Sequence, residues 1–330
     1  MIVEGRSVLV AIVLAVLSTP LVTEAQPANK VYRIGVLSLN PREASLQLTE
    51  AFEQGLRDQG YIEGRNITLE YRFAEGRPDR LPAMAAELVR LKVDVIMAAA
   101  DAQARAARQA TTTIPIVMSL ARDPVGQGLV ASLARPGGNI TGLTVDVTLE
   151  TWGKRLQLLK ELVPKISRVA VLSNSTFRPN TARWKSTQEA ARQLGVTPLL
   201  ADVRGPDDLQ NAFAAMVRGR AEGFIVFDDP ATYALRSQMA ALAAKNRLPA
   251  VYPFREAPDV GGLLSYGPDF ADLFRRSAVY VDKIFRGARA GDLPVEQPTK
   301  FQLVLNLRAA KALGLTMPPS FLAQADHVLE

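Results

Sequence analysis

The chain runs the same α/β course twice, and that repetition limits its architecture more than any motif does. From residue 31 onward, short apolar runs rich in Val and Ile alternate with helical segments. Val31–Ser38, Asn66–Phe73, Val93–Ala99 and Ile114–Ser119 read as strands. Glu43–Gly60, Asp79–Leu91 and Ala102–Ala110 read as helices, the first with Leu46, Leu48, Phe52 and Leu56 near one face. Apolar strands alternating with helices require a parallel sheet covered on both faces. The second half repeats the order. Arg33-Ile34-Gly35-Val36-Leu37-Ser38 returns as Arg168-Val169-Ala170-Val171-Leu172-Ser173, and the helix end Asp58-Gln59-Gly60 returns as Arg192-Gln193-Leu194-Gly195. The helix before Val93–Ala99 returns as Asp207–Arg218 before Gly223–Asp228. Thr113-Ile114-Pro115-Ile116-Val117 returns as Arg247-Leu248-Pro249-Ala250-Val251, and Gly137-Gly138-Asn139 as Gly261-Gly262-Leu263. Identities are few, but the order is kept, which is the mark of a repeated unit.

Two similar open α/β units imply two lobes, each with its ligand-facing loops at the carboxyl ends of its strands. If those ends face each other, a cleft lies between the lobes and hinge closure can bury a ligand there. Asn139–Val145 and Leu263–Tyr266, after the last strand of each unit, are the candidate hinge crossovers. A length of 330 residues suits two domains better than one core.

Composition removes several function classes. Cysteine is absent, which excludes disulfides, thiolate metal sites, a cysteine nucleophile and a lipid-anchoring cysteine. The single histidine, His327, stands near the end, and most acid–base and zinc chemistry draws on histidine. No catalytic residue, metal or cofactor is therefore expected. Gly126-Gln127-Gly128 lacks the third glycine of a dinucleotide fingerprint and reads as the inside of a helix; no Walker loop is present. An enzyme working by carboxylates alone stays as an alternative. Net charge is +6, but Lys and Arg are interleaved with Asp and Glu, so the basic balance reads as a solvated surface and not as a nucleic-acid partner. A repressor of this architecture would need an N-terminal helix-turn-helix. That position instead holds Arg6, the apolar run Val8–Leu17, the break Ser18-Thr19-Pro20, and Thr23-Glu24-Ala25 ahead of Gln26-Pro27. This is the pattern of a secretory signal over residues 1–25. Its apolar run is shorter than the ~20 residues of a membrane span; a retained anchor is the alternative reading. The mature protein is expected to be periplasmic and to start near Gln26.

Several segments carry a family likeness: Tyr32-Arg33-Ile34-Gly35-Val36-Leu37-Ser38, Asp123-Pro124-Val125-Gly126 with the run Gly128–Gly142, Tyr252-Pro253-Phe254-Arg255-Glu256, Gly261–Pro268 and Ala309–Leu315. Across essentially the whole mature chain the sequence resembles the type I periplasmic substrate-binding proteins of ABC transporters, in the branch that includes tryptophan and tyrosine binders. The resemblance implies two Rossmann-like lobes with parallel sheets joined by a hinge. It implies a monomeric receptor without catalysis that delivers a small molecule to a permease in the inner membrane. The expected division is lobe 1 over 30–145 with about 267–292 returning to it, and lobe 2 over 146–263 with part of 293–330. A ligand-sensing module for a membrane receptor shares the cleft and differs only in partner.

The chemistry is expected at strand ends. In the first lobe these are Ser38 and Asn40, then Ala99, Ala100 and Asp101, then Ser119. Small residues there let a ligand carboxylate approach helix N-termini, although each polar one is also an ordinary cap or turn residue. Asp123-Pro124 reads as an N-cap with Pro at N1, and Asp123 is also a candidate for a ligand amine. In the second lobe the ends are Asn174 and Ser175, Asp228, and Tyr252 with Phe254. Asp228 is either the partner of an α-amino group or the cap of a helix starting at Pro230. Tyr252, Phe254 and Tyr266 are candidate aromatic walls, and Glu256 is a weaker amine candidate. Arg42 and Arg122 read as solvated, with an acidic ligand as the alternative. The expected ligand is a zwitterion, an amino acid or related small carboxylate.

Overall fold

The computed structural model describes residues 30–145, 150–177, 180–298 and 301–330; the expected export signal lies outside them. The first sheet is built from β1 (Tyr32–Ser38), β2 (Ile67–Phe73), β3 (Val95–Ala100), β4 (Ile116–Ala121) and β5 (Ile140–Thr144) in the order β2-β1-β3-β4-β5, with all pairs parallel. The second uses β6 (Arg168–Ser173), β7 (Thr197–Asp202), β8 (Gly223–Val226), β9 (Ala250–Tyr252) and β10 (Leu264–Gly267) in the order β7-β6-β8-β9-β10. The two orders are the same, so the repeat in sequence is a repeat in topology. Strands inside each sheet, such as β4 and β8, are buried along their whole length, whereas the edge strands β2 and β7 are only partly so. Only strands covered on both faces need to be continuously apolar.

The helices of the first half are α1 (Arg42–Asp58), α2 (Leu81–Arg90) and α3 (Asp101–Ala110). Those of the second are α4 (Glu150–Leu162), α5 (Asn180–Gln193), α6 (Leu209–Arg218), α7 (Pro230–Ala234), α8 (Arg236–Lys245) and α9 (Glu256–Asp259). After β10 the chain returns to the first sheet. There α10 (Phe270–Phe285) buries Phe270, Leu273, Phe274, Ala278 and Val281 against α1 and β4. It then goes back to the second sheet as β11 (Gln302–Asn306), α11 (Leu307–Ala312), α12 (Pro319–Gln324) and β12 (His327–Leu329). Strand β11 pairs antiparallel to β10, a departure from an all-parallel sheet. Its direction reflects the route: the chain leaves β10 at the carboxyl end and re-enters from that same side.

Two sequence expectations are corrected here. Asn139–Val145 and Leu263–Tyr266 are not the crossovers themselves, because they contain β5 and β10; the chain changes sheet just after each, and again between α10 and β11. The last passage runs beside β5, with Thr144 N donating to Glu296 O at 2.9 Å and Glu296 N to Gly142 O at 3.0 Å. The stretch from Asp123 is not a helix. Asp123 sits at φ 50° and its Oδ1 accepts from Gly126 N at 2.8 Å, while Gln127 N bonds Asp123 O and Gly128 N bonds Val125 O. Asp123-Pro124 supplies a helix start, but Gly126 and Gly128 are poor residues for the turns of helix that would extend it, so the segment settles into successive turns.

The return of α10 depends on one close approach. A Cβ on Gly55 of α1 would stand 2.2 Å from the backbone oxygen of Arg275 in α10. Gly55→Ala is expected to lower stability by about 1–3 kcal/mol by forcing these helices apart. Urea unfolding checks this; no loss would mean that the helix pair adjusts freely.

Candidate functional site

Both sheets and all their helices belong to one compact unit, Tyr32–Glu330, and the lobes meet through residues at strand ends. Arg122 comes just after β4 and Asp228 just after β8. Arg122 Nε lies 2.8 Å from Asp228 Oδ2, and the two side chains are 3% and 6% exposed. Asp228 also has Arg183 of its own lobe, with Nη1 3.7 Å from Oδ1 and donating to the Asp228 backbone oxygen at 2.8 Å. Arg122 is further anchored in the first lobe: its backbone N donates to Asp101 Oδ1 at 2.7 Å and its Nη1 to Leu120 O at 3.2 Å.

The reading of Arg122 as solvated is therefore corrected, while Arg42 is exposed. The capping role expected of Asp228 is corrected as well. Its carboxylate is engaged by the guanidiniums of Arg122 and Arg183. The helix cap is its neighbour Asp229, whose Oδ1 accepts from Ala231 N (2.8 Å) and Thr232 N (3.1 Å) in a capping box with Thr232. The arginines hold the Asp228 carboxyl below the usual range against the opposing effect of burial. Burial pushes Asp229 up to about 6.

Arginines and aromatic rings alternate along the second lobe's face. Arg122 and Arg183 lie over Phe177 at 5.8 and 5.6 Å, and Arg183 and Arg155 over Trp152 at 4.7 and 4.3 Å. Stacking on aromatic faces suits weakly hydrated guanidiniums and helps to offset burial. Arg155 Nε donates to Tyr266 O at 2.7 Å, its Nη1 has no hydrogen-bond partner, and burial lowers its pKa to about 10. Trp152, Arg155 and Arg183 were missed in the sequence. One signal was legible: the buried stripe of α5 reads Asn180, Arg183, Thr187, Ala191, a helical spacing with polar residues where a core helix carries apolar ones.

In the first lobe a cavity of about 40 Å³ opens at the ends of β1, β3 and β4. Of the expected residues it gathers Ser38, Asn40, Ala99 and Ala100. It adds Ser45 and Thr49 of α1, Gln103 of α3, Phe270 and Phe274 of α10, and Tyr233 from the second lobe. Gln103 is 2% exposed with its Oε1 unpartnered. Small-molecule pockets measure roughly 300 Å³ or more, so this cavity is too small to hold a solute as it stands. Wider concavities, of about 770 Å³ beside α4 and α5 and about 500 Å³ beside α8 and α11, lie on the second lobe away from these strand ends.

The other expected residues fall elsewhere. Ser119 lies inside β4, its Oγ 2.8 Å from Ser277 Oγ of α10, because the strand runs two residues further than expected. Asp101 begins α3 and serves Arg122. Asp123 is exposed and closes its turn. Asn174 holds Thr176 N at 2.9 Å, and Ser175 bonds Asp202. Tyr252 and Phe254 are fully buried; Phe254 packs on Tyr233 and Phe270, and Tyr266 stacks on Phe301. Glu256 is buried at the end of β9.

The sequence model of a family described as ABC transporter substrate binding protein matches residues 33–329. A tyrosine-binding protein of Clostridioides difficile is 26% identical over 288 residues, spanning 87% of this chain and 82% of that protein. A conserved domain protein of Vibrio cholerae superposes with a TM-score of 0.83 at 27% identity, covering 91% of this chain and 100% of that one. The ABC domain of Streptococcus pneumoniae in complex with L-Trp superposes with a TM-score of 0.82 at 23% identity, over 90% and 99% of the chains, a likeness of fold.

The unequal sharing of Asp228 gives an expectation. Arg122→Gln leaves Asp228 with Arg183 in its own lobe and is expected to cost ~1 kcal/mol, while small-angle scattering shows a larger radius. Asp228→Asn strands three guanidiniums together and is expected to cost about 3–5 kcal/mol. Denaturant unfolding of both variants checks the difference; equal losses would show that Arg183 does not share the carboxylate. Because the Asp228 pKa is depressed, the stability from the pair is present at neutral pH. It is expected to fade only below the ordinary aspartate range of about 4.

Proposed function

The chain belongs to the ABC transporter substrate binding protein family, a family of binding proteins and not of enzymes, and from that premise we propose that it is the periplasmic solute receptor of an ABC importer. It captures an amino acid or related small carboxylate between its lobes by hinge closure and, as a monomer, presents it to a permease in the inner membrane. The observation that carries this reading is the Arg122–Asp228 pair, which closes two strand-end surfaces over the cavity at Ser38 and Gln103. The name of the tyrosine-binding relative and the rings of Phe270, Phe274 and Tyr233 favour an aromatic amino acid.

In this reading Ser38 and Asn40, with the backbone N–H groups that open α1 and α3, receive the ligand carboxylate. Gln103 offers its carboxamide oxygen to a donor on the ligand. Asp228 latches the closed lobes and does not touch an amine.

Native mass spectrometry of protein recovered from the periplasm tests both halves of the proposal. The chain mass is expected to start near Gln26, and any retained ligand is weighed with it. In thermal shift, an α-amino acid at 100 times its Kd is expected to add about 2.7 kcal/mol of stability. No shift with any α-amino acid sinks the amino-acid assignment, and turnover of the ligand sinks the receptor reading.

A further inference from the structure

Glu256 is the most anomalous group in the described structure. It opens the short helix α9 just past the carboxyl end of β9 and is 1% exposed. Neither carboxylate oxygen has a hydrogen-bond partner. Buried carboxylates are almost always hydrogen-bonded or paired, because an isolated one loses its hydration without recompense. Its chain neighbours Tyr252, Phe254 and Ala257 are fully buried.

A second orphan stands close by. The hydroxyl of Tyr233 is buried without a partner, and Glu256 is the first charge acting on it, ahead of Arg236 and Asp269. The Tyr233 ring is held by Phe254 at 5.4 Å and Phe270 at 5.9 Å, with the Arg236 guanidinium 4.4 Å from its centroid. Tyr233 is also the second lobe's contribution to the strand-end cavity. A phenol thus lies unsatisfied at the aromatic edge of the cleft, with an unsatisfied carboxylate buried near it, a pair opposite in chemical character to Arg122, Arg155 and Arg183.

We propose that Glu256 and Tyr233 form the subsite for the protonated amine of the bound solute, so that the cleft selects amino acids over carboxylates that lack the amine. The inference rests on the cleft being a solute site, and it moves the amine from Asp228, which is occupied, to a carboxylate that is not. An ammonium group supplies the N–H donors and positive charge that Glu256 lacks, and the phenol oxygen of Tyr233 accepts a further N–H. The charged groups around Glu256 fit this role. Burial raises its pKa to about 7, outweighing its own backbone N–H, Arg236 of α8 and the adjacent Arg255, which favour the ionised form, while Asp269 at the cap of α10 disfavours that form.

The experiment uses the full mature chain with L-tryptophan and L-tyrosine as probes, indolepropionate as the counterpart without the amine and tryptamine as the counterpart without the carboxylate. Calorimetric titration is expected to show wild type preferring L-tryptophan to indolepropionate. Glu256→Gln, which is near-isosteric and removes a buried charge, is expected to weaken the amino acids about thirtyfold while leaving indolepropionate within about threefold. Tyr233→Phe is expected to weaken them severalfold. Wild-type affinity for the amino acids is expected to fall about tenfold from pH 8 to pH 6 as Glu256 takes up its proton, and Glu256→Gln abolishes that slope. Equal binding of the amino acids by wild type and Glu256→Gln overturns the subsite alone. Failure of wild type to bind any amine-bearing probe overturns it together with the amino-acid reading.

Discussion

The buried Arg122–Asp228 pair joins the two lobes at the candidate site. Its members lie 106 positions apart in sequence and are brought within hydrogen-bond distance only because both repeats end their strands on the same gap. Taking two ions out of water costs several kcal/mol per ion after relaxation, so such a pair survives only with further support. The support is visible: Asp101 and the Leu120 carbonyl hold Arg122, Arg183 holds Asp228, and the ring of Phe177 lies against both arginines. Breaking this pair does not require unfolding. In the proposed hinge motion the lobes separate and return the charges to water, so the same interaction serves as a structural contact when closed and a gate when open.

The repeat explains why that gap exists. Each half winds five parallel strands in the same order, and a parallel sheet collects its loops and helix N-termini at one end. Doubling the unit and facing the ends together gives a cleft without any dedicated element. What the second copy adds beyond the first is the return of α10 to the first lobe and of β11 to the second. The passage through Glu296 lies alongside β5, so more than one strand links the lobes, as the proposed hinge requires.

Much of this was legible in the sequence, for a physical reason. Strands buried on both faces must be apolar throughout, so the central strands of each sheet announced themselves, and their order in the chain disclosed the repeat. Strand ends were legible too, which is why Ser38, Asn40, Ala99 and Ala100 are found together. Partnership was not. Asp228 was recognisable as an acid at a strand end, but nothing local says that it is buried or that Arg122 meets it from the other lobe. An exposed arginine and a buried, paired one read alike in a string of residues. The turn at Asp123 failed for a related reason: Asp-Pro is a strong local start signal, and the two glycines after it outweighed it. Gln103, Tyr233 and Arg155 sit on helices whose polar residues look solvated until the opposing lobe is in place.

The asymmetry of the latch also bears on how the cleft works. When the lobes part, Asp228 keeps Arg183, which is in its own lobe and also holds its backbone oxygen. Only Arg122 must then be rehydrated, while Asp101 still accepts from its backbone. The proposed opening would therefore expose a single arginine on one face and a neutralised carboxylate on the other, at a smaller cost than for an isolated buried pair. A solute can bias such an equilibrium only by its differential affinity for the closed form. Because the closed form already carries its own ion pair, the solute need not bridge that pair. In the proposed site its binding energy is left for groups buried unsatisfied, above all the carboxylate of Glu256, the hydroxyl of Tyr233 and the carboxamide oxygen of Gln103.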